Sequence, residues 1–221
     1  RFAWVYHGVH VVHPNWRPNR VLEYISDSAC NDENPDADPS DGPEYGHVTH
    51  VTGTIAAVAN NAQGVAGVAF DAKVMVMRVS LSGGGCGNLA ADLAELTNAV
   101  RRPVDRGAKA INLSVGEGVS IPGLTNTVTQ ACERAFTRGS LCFVAAGNSG
   151  ETKSSGYPYD FNVVVVTAND NTGAHASFGQ KADTKWSVSA PGVDIINTWP
   201  IDDKAHDGYN SIQGTSMATP H

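Results

Sequence analysis

The sequence has no long hydrophobic run, few charged residues and no surplus of basic ones. Only 17% of its 221 residues are charged, and the formal net charge is −7. Nucleic acids and anionic membrane surfaces attract basic proteins, so this balance argues against either partner. No apolar stretch approaches the ~20 residues of a membrane-spanning helix. Residues 1–10 lack the pattern of a signal peptide, so any targeting segment is expected to lie outside this chain.

Cysteines are also few, and their spacing argues against a structural zinc site. The four are Cys30, Cys86, Cys132 and Cys142. They form no C-x-x-C pair, and no histidine stands at zinc-finger spacing from them. Two disulfides in an exported protein and four buried free thiols both fit, with export slightly favoured. Four cysteines allow three pairings, and the sequence does not choose among them.

What the sequence does contain is an alternation of short apolar segments with amphipathic ones. In two segments the apolar residues recur at spacings of three and four, which predicts helices. Pro103 is expected to kink or shorten the first helix, and Gly107 and Gly139 are expected to stop the two helices. The helical segments are residues 89–104 and 124–138, and the strand-like segments are residues 2–5, 73–80, 110–115, 141–146 and 163–167.

Apolar strands that alternate with helices indicate a parallel sheet that is covered on both faces. We therefore predict an α/β fold of three layers, with a mostly parallel central sheet and helices on each side. No internal repeat or linker divides the chain, so residues 1–221 are expected to form a single domain.

An acidic segment, residues 27–44, interrupts this alternation. It carries seven carboxylates and three prolines and almost nothing apolar, which predicts a loop. One interpretation is a solvated acidic excursion. The other is a calcium site, because carboxylates supply the hard oxygen ligands that calcium takes. No EF-hand spacing decides between them, and the candidate ligands are Asp32, Asp36, Asp38 and Asp41.

Polar residues with chemical capability lie where strands end or helices begin. In a parallel sheet these positions meet at the carboxyl edge of the strands, where ligands bind. Ser216, in GTSMATPH at 214–221, stands where a loop becomes a helix. We expect an exposed hydroxyl there, suited to a nucleophile whose attack creates an oxyanion. The alternative for Ser216 is a helix N-cap. His47 and His50 fit a general base or a metal pair.

Three blocks of the chain resemble the subtilisin-like serine proteases, the subtilases. The histidine block of the family reads H-G-T-H-V-A-G-T, and residues 46–54 read GHVTHVTGT. Residues 144–150, VAAGNSG, are similar to its oxyanion block, and residues 214–221 are similar to its nucleophile motif. Connecting segments agree, namely GVAGVAFDAKVMVMRV at 64–79, AINLSVG at 110–116 and SAPGVDI at 189–195. The resemblance covers nearly the whole chain and implies a serine endopeptidase.

The resemblance also implies roles for individual residues. Ser216 corresponds to the nucleophile, and His47 to the general base that later protonates the leaving amine. Asn148 corresponds to the side-chain donor of the oxyanion hole, beside the backbone N–H of Ser216. His50 matches the second histidine of the motif, which is structural. The strand edge that pairs with substrate corresponds to Ser114, Val115 and Gly116, and one pocket wall to Ala145, Ala146 and Gly147.

The residue at the position of the triad carboxylate departs from the family pattern. The family has D-[ST]-G-[IV] seven residues before H-P-D-L, and the frame set by His13 and Pro14 puts Tyr6 at the aspartate position. A tyrosine is neutral at pH 7 and cannot stabilise the imidazolium. Asp27 is the fallback candidate, although its segment corresponds better to the strand and acidic loop that follow the first strand.

Other departures bear on the activity of the chain itself. Val48 replaces the glycine after the histidine and is expected to crowd the helix start, and Gln213 replaces a smaller polar residue. The chain stops at His221, five residues after Ser216. We therefore expect an internal part of a catalytic domain, with the C-terminal part of the fold missing. The longer parent would be active, and this chain alone would have little or no activity.

Two functions from different classes remain open. The first is a secreted endopeptidase that acts on polypeptides as a monomer. It would need no catalytic cofactor and would hold structural calcium. The second is a catalytically impaired relative that binds extended peptides through residues 114–116. A metal hydrolase built on His47 and His50 is a distant third, because no third ligand is evident nearby.

Overall fold

The computed structural model describes residues 2–5, 21–26, 43–78, 89–114, 124–150, 152–153, 162–182, 186–201 and 206–221. In this part of the chain, strands and helices alternate as the sequence predicts. The helices are α1 (Pro43–Ala56), α2 (Leu89–Asp105), α3 (Leu124–Thr137) and α4 (Thr215–Ala218). The strands are β1 (Phe2–Val5), β2 (Val21–Ser26), β3 (Val74–Arg78), β4 (Ala110–Leu113), β5 (Leu141–Ala145), β6 (Thr152–Lys153), β7 (Val163–Asn169), β8 (Lys181–Ala182), β9 (Ser187–Pro191), β10 (Ile195–Thr198) and β11 (Tyr209–Ile212).

Seven strands form one sheet in the order β2-β3-β1-β4-β5-β7-β9. All six pairings in this sheet are parallel, which confirms the parallel arrangement. Two small two-stranded sheets accompany it, an antiparallel one of β10 and β11 and a parallel one of β6 and β8. The carboxyl ends of β4 and β5 therefore lie side by side at one edge of the main sheet.

The two faces of the sheet pack against different helices. Met75 and Met77 of β3 lie in one buried cluster with Leu96 of α2 and Val128 of α3. Val74 and Val76 of the same strand lie in a second cluster with residues of α1 and α4. Because successive strand residues point to opposite faces, α2 and α3 cover one face and α1 and α4 the other. The three-layer prediction is confirmed.

The ends of α2 and α3 agree with the sequence. Gly107 and Gly139 follow α2 and α3 with φ of 81° and 79°, the left-handed conformation that ends helices. Pro103 lies inside α2, whose last residue is Asp105, and the kink expected at the proline stays a prediction. After the proline, backbone N–H groups bond to carbonyls of the last turn, such as the N–H of Arg106 to the Arg102 oxygen.

A disulfide joins Cys132 of α3 to Cys142 of β5, with Cα atoms 5.7 Å apart. Both cysteines are fully buried in the cluster beneath α2 and α3. The disulfide interpretation is therefore confirmed for this pair, whereas Cys30 and Cys86 lie outside the described residues. Within the described part of the chain, no helix has both the length and the apolar character needed to span a membrane.

Candidate active site

Ser216 is the second residue of α4, at the start of the helix that packs under the sheet. Gly214 is the N-cap residue, and the helix has no side-chain cap, so the N-cap interpretation of Ser216 is wrong. The expectation of an exposed hydroxyl is also wrong. Ser216 is only 8% exposed, and its Oγ donates a hydrogen bond to the carbonyl oxygen of Ser114 at 3.1 Å. The neighbouring strand end covers the serine, which the local sequence could not reveal.

Ser114 holds the segment that contains Ser216 at a second point. Its Oγ donates to the carbonyl oxygen of Ser216 at 2.8 Å and accepts from Nδ2 of Asn112 at 3.0 Å. Asn112 and Ser114 are both buried, at the end of β4 and just beyond it. Sequence reasoning gave Ser114 only a role in substrate pairing and missed Asn112. The signal was an asparagine in an otherwise apolar strand.

Asn148 lies in the loop after β5 and is hydrogen-bonded to Thr215, the residue before Ser216. Its Oδ1 accepts from the backbone N–H of Thr215 at 2.9 Å and from the Thr215 hydroxyl at 3.0 Å. The same hydroxyl accepts the N–H of Gly147 at 3.1 Å. Because a backbone N–H can only donate, the bonded amide atom of Asn148 must be its oxygen. The Nδ2 group then points away from Thr215 as a hydrogen-bond donor.

His47 lies in the second turn of α1 and is partly exposed. The residue after it, Val48, is fully buried and packs in one cluster with Met217, the residue after Ser216. This packing brings the helix of His47 against the helix of Ser216. Val48 therefore lies in the core between the two helices, where its branched side chain is accommodated. Gly46 is needed for close approach, because a Cβ there would overlap the indole of Trp199.

His50 lies one turn further along α1 and has no exposed surface. Its Nε2 makes a 2.8 Å hydrogen bond to the carbonyl oxygen of Ile195 in β10. Burial lowers the pKa of His50 from 6.5 to about 4, although the Ile195 and Asn210 backbone groups oppose the shift. The ring is therefore neutral at pH 7 and ties α1 to the β10–β11 ribbon. Among the described residues, no group of three or more His, Cys, Asp and Glu could hold a metal ion.

The other residues singled out from the sequence divide into two sets. Ala145, Ala146 and Gly147 are buried at the end of β5, next to Asn148, and their role in a pocket wall stays a prediction. The second set lies outside the described residues, so its roles stay predictions as well. It comprises Tyr6, Asp27, the candidate calcium ligands Asp32, Asp36, Asp38 and Asp41, and the substrate-edge residues Val115 and Gly116.

Asn148 thus bonds the residue before Ser216, and α1, which carries His47, packs against α4. The family model for peptidase S8, described as the subtilase family, matches residues 7–221. The chain belongs to the subtilase family. This membership confirms the resemblance that the three motif blocks indicate.

Named relatives agree with this membership. Thermitase of Thermoactinomyces vulgaris is 38% identical over 189 residues, which are 84% of this chain and 61% of thermitase. The extracellular protease of Xanthomonas campestris pv. campestris is 38% identical over 185 residues, 79% of this chain and 31% of that protein. The thermophilic serine proteinase of Bacillus sp. (strain AK1) is 35% identical over 97% of this chain and 48% of its own length. The subtilase chain thus spans between about a third and about three fifths of these relatives.

Solved structures support the fold. The prenylagaramide maturation protease PagA superposes with a TM-score of 0.73 at 23% identity, over 99% of this chain and 70% of that chain. A protease of Pseudoalteromonas arctica PAMC 21717 superposes with a TM-score of 0.72 at 26% identity, over 100% of this chain and 74% of that chain. Both confirm a subtilisin-like architecture for the described sheet and helices.

Proposed function

We propose that this subtilase chain carries the catalytic centre of a serine endopeptidase, with Ser216 as nucleophile, His47 as general base and Asn148 as oxyanion donor. The contact between Thr215 and Asn148 carries the proposal. Thr215 precedes the nucleophile and bonds Oδ1 of Asn148 twice. The oxyanion donor is therefore tied to the segment of the serine that would generate the oxyanion, as acyl transfer requires.

The proposed reaction begins with a change of hydrogen-bond partner at Ser216. Its hydroxyl now donates to the Ser114 carbonyl and must turn to His47 before it attacks the peptide carbonyl. His47 takes the proton, and the oxyanion is stabilised by Nδ2 of Asn148 and the backbone N–H of Ser216. His47 then protonates the leaving amine, and an acyl-enzyme remains on Ser216. Water hydrolyses this ester through the same groups in reverse order.

The substrate would be an extended polypeptide. Residues 114–116 would pair with its backbone as an additional strand, and residues 145–147 would form a wall of the pocket for the side chain before the scissile bond. Export and monomeric action belong to the same proposal. The buried Cys132–Cys142 disulfide supports export, since disulfides persist in oxidising compartments. Structural calcium in residues 27–44 is proposed from the seven carboxylates of that segment.

A second candidate function is a catalytically impaired subtilase that binds peptides without cleaving them. The observation that favours it is Tyr6, at the position that corresponds to the triad aspartate. Without a carboxylate the imidazolium of His47 loses a stabilising partner, and turnover would fall by about 10⁴ as in a triad whose acid is neutralised.

Labelling with a fluorophosphonate probe separates the two functions. An endopeptidase reacts at Ser216, hydrolyses a peptide amide and loses both activities in Ser216→Ala. An impaired binder retains affinity for an extended peptide but is not labelled. Tyr6→Asp would raise turnover in a folded impaired chain if position 6 is that of the acid. A folded wild-type protein that is not labelled would overturn the endopeptidase proposal.

A further inference from the structure

The loop that carries Asn148 is also held by a short segment after β7. The backbone N–H of Gln180 donates to the carbonyl oxygen of Gly147 at 2.9 Å. The N–H of Gly150 donates to the carbonyl oxygen of Phe178 at 2.7 Å. These two bonds flank Asn148, so the segment 178–180 supports the backbone of the proposed oxyanion donor.

The side chain of Gln180 adds contacts on both sides of Asn148. Its Nε2 donates to the hydroxyl of Ser149 at 2.6 Å. Its Oε1 lies against Gly147, where a Cβ would overlap it. Gly147 has φ of 104°, in the region that favours glycine. The carbonyl oxygen of Gln180 accepts a hydrogen bond from the hydroxyl of Thr167 in β7 at 2.8 Å. This bond connects the loop, through Gln180, to the central sheet.

The burial of the Gln180 side chain lowers the stability of the folded state. The residue is 1% exposed, and its Oε1 is buried with no hydrogen-bond partner among the described residues. A buried acceptor without a partner destabilises the folded state. An apolar side chain of the same length would fill the space without that cost. Packing alone therefore does not account for a glutamine at this position.

We propose that Gln180 is a positioning residue that holds the loop 147–149 so that Asn148 can stabilise the oxyanion. This inference rests on the proposed function of Asn148. Thr215 determines where Oδ1 of Asn148 lies, and Gln180 determines where the backbone on both sides of Asn148 lies. Without the Gln180 contacts, the Asn148 side chain would still be bonded to Thr215 through Oδ1, but the backbone that carries it would be less ordered.

The test compares Gln180→Met with the wild type in the protein that contains this chain. Methionine keeps the length of the side chain and removes the donor to Ser149. We expect kcat for a peptide amide to fall about tenfold with little change in KM, because an interaction made in the transition state is weakened. Binding of a peptidyl aldehyde, which forms a tetrahedral adduct, should weaken by the same factor, and binding of a product peptide should not change.

Ser140→Ala is the matched control. Ser140 is buried and donates to the carbonyl oxygen of Ala108 at 2.7 Å, before the start of β5 and therefore at the opposite end of that strand from Asn148. Its replacement removes one buried hydrogen bond and should lower the melting temperature, with kcat unchanged. Gln180→Met in an Asn148→Ala background should lower kcat no further, because a positioning residue acts through the group it positions.

The outcomes separate this inference from the proposed function. If Asn148→Ala lowers kcat about a hundredfold or more but Gln180→Met leaves it unchanged, the role of Gln180 is refuted and the endopeptidase stands. If neither Ser216→Ala nor Asn148→Ala changes turnover, the proposed function fails. For a protein without turnover, NMR of the Asn148 side-chain amide decides the structural claim. Faster hydrogen exchange in Gln180→Met, but not in Ser140→Ala, supports it, and equal exchange overturns it.

Discussion

Acid should destabilise this protein through His50. The ring has no exposed surface and ties α1 to β10 through the Ile195 carbonyl. Burial lowers the pKa of His50 to about 4, whereas an unfolded chain would titrate near the ordinary value of 6.5. Between these pH values the unfolded state binds a proton that the folded state does not. The free energy of unfolding must therefore fall as the pH falls through this interval.

The magnitude follows from the difference between the two pKa values. A difference from 6.5 to about 4 corresponds to roughly 3 kcal/mol, lost progressively below pH 6.5 and completely below pH 4. That is a large part of the ~5–15 kcal/mol that stabilises a typical domain. The pKa of His221 is also lowered by burial, and its charge contributes to the shift of His50. His221 should add to the acid dependence of the wild type.

The assay is urea unfolding followed by tryptophan fluorescence at several values between pH 7.5 and pH 4. A Ser216→Ala background removes self-digestion from the measurement. His50→Gln keeps a donor for the Ile195 carbonyl but has no titrating group. Because the packing of the buried ring is lost, the variant should be less stable than the wild type at pH 7.5. That disadvantage should shrink by roughly 3 kcal/mol on going to pH 4, because only the wild type loses the His50 contribution.

His175→Gln is the control, because His175 is an exposed histidine. The carboxylates are shared by all three proteins, so their contributions to the acid dependence cancel in the differences from the wild type. If His50→Gln keeps a constant difference from the wild type between pH 7.5 and pH 4, His50 does not titrate in this way, and its burial does not control the acid stability.

Three further predictions concern the disulfide, the loop and the nucleophile segment. Replacing both Cys132 and Cys142 by Ala should lower stability by about 3 kcal/mol, since a bond across ten positions restricts a short loop of the unfolded chain. A double variant whose melting temperature equals that of the wild type, both with and without reductant, would contradict this. Gly147→Ala should cost more stability in urea unfolding than Gly173→Ala. Both have positive φ, but only the first meets a side chain. Ser114→Ala should lower kcat about tenfold at similar KM, because the bond that locates the nucleophile is lost. Ser114→Thr should retain more activity, and equal kcat values for the two variants would argue against that role.

The layered fold could be predicted from the sequence because its signals are local. Apolar strands such as residues 110–113 and 141–145 are separated by amphipathic helices, and that order dictates a covered parallel sheet. Helix ends were predictable for the same reason where a glycine takes positive φ, as at Gly107 and Gly139.

The sequence indicates the candidate site through motifs but not through contacts. Ser216, His47 and Asn148 stand in recognisable blocks, whereas their supports come from residues far away in the chain. Ser114 contacts Ser216 across 102 positions, and Gln180 contacts Ser149 across 31. Periodicity carries no information about such pairs. The exposed hydroxyl expected for Ser216 was wrong for this reason, since the carbonyl that covers it belongs to another strand.

The contacts around Thr215 suggest how such a site tolerates variation elsewhere. An oxyanion donor must match the position of the oxyanion to within about 0.5 Å. The oxyanion is the carbonyl oxygen bonded to the carbon that Ser216 would attack. Thr215 is covalently adjacent to Ser216 and bonds Oδ1 of Asn148 with both its backbone N–H and its hydroxyl. The proposed donor is therefore located relative to the proposed nucleophile, and a small shift of the sheet would move both together. Gln180 then has to prevent rotation of the loop about that attachment, which a contact on each side of Asn148 is suited to do.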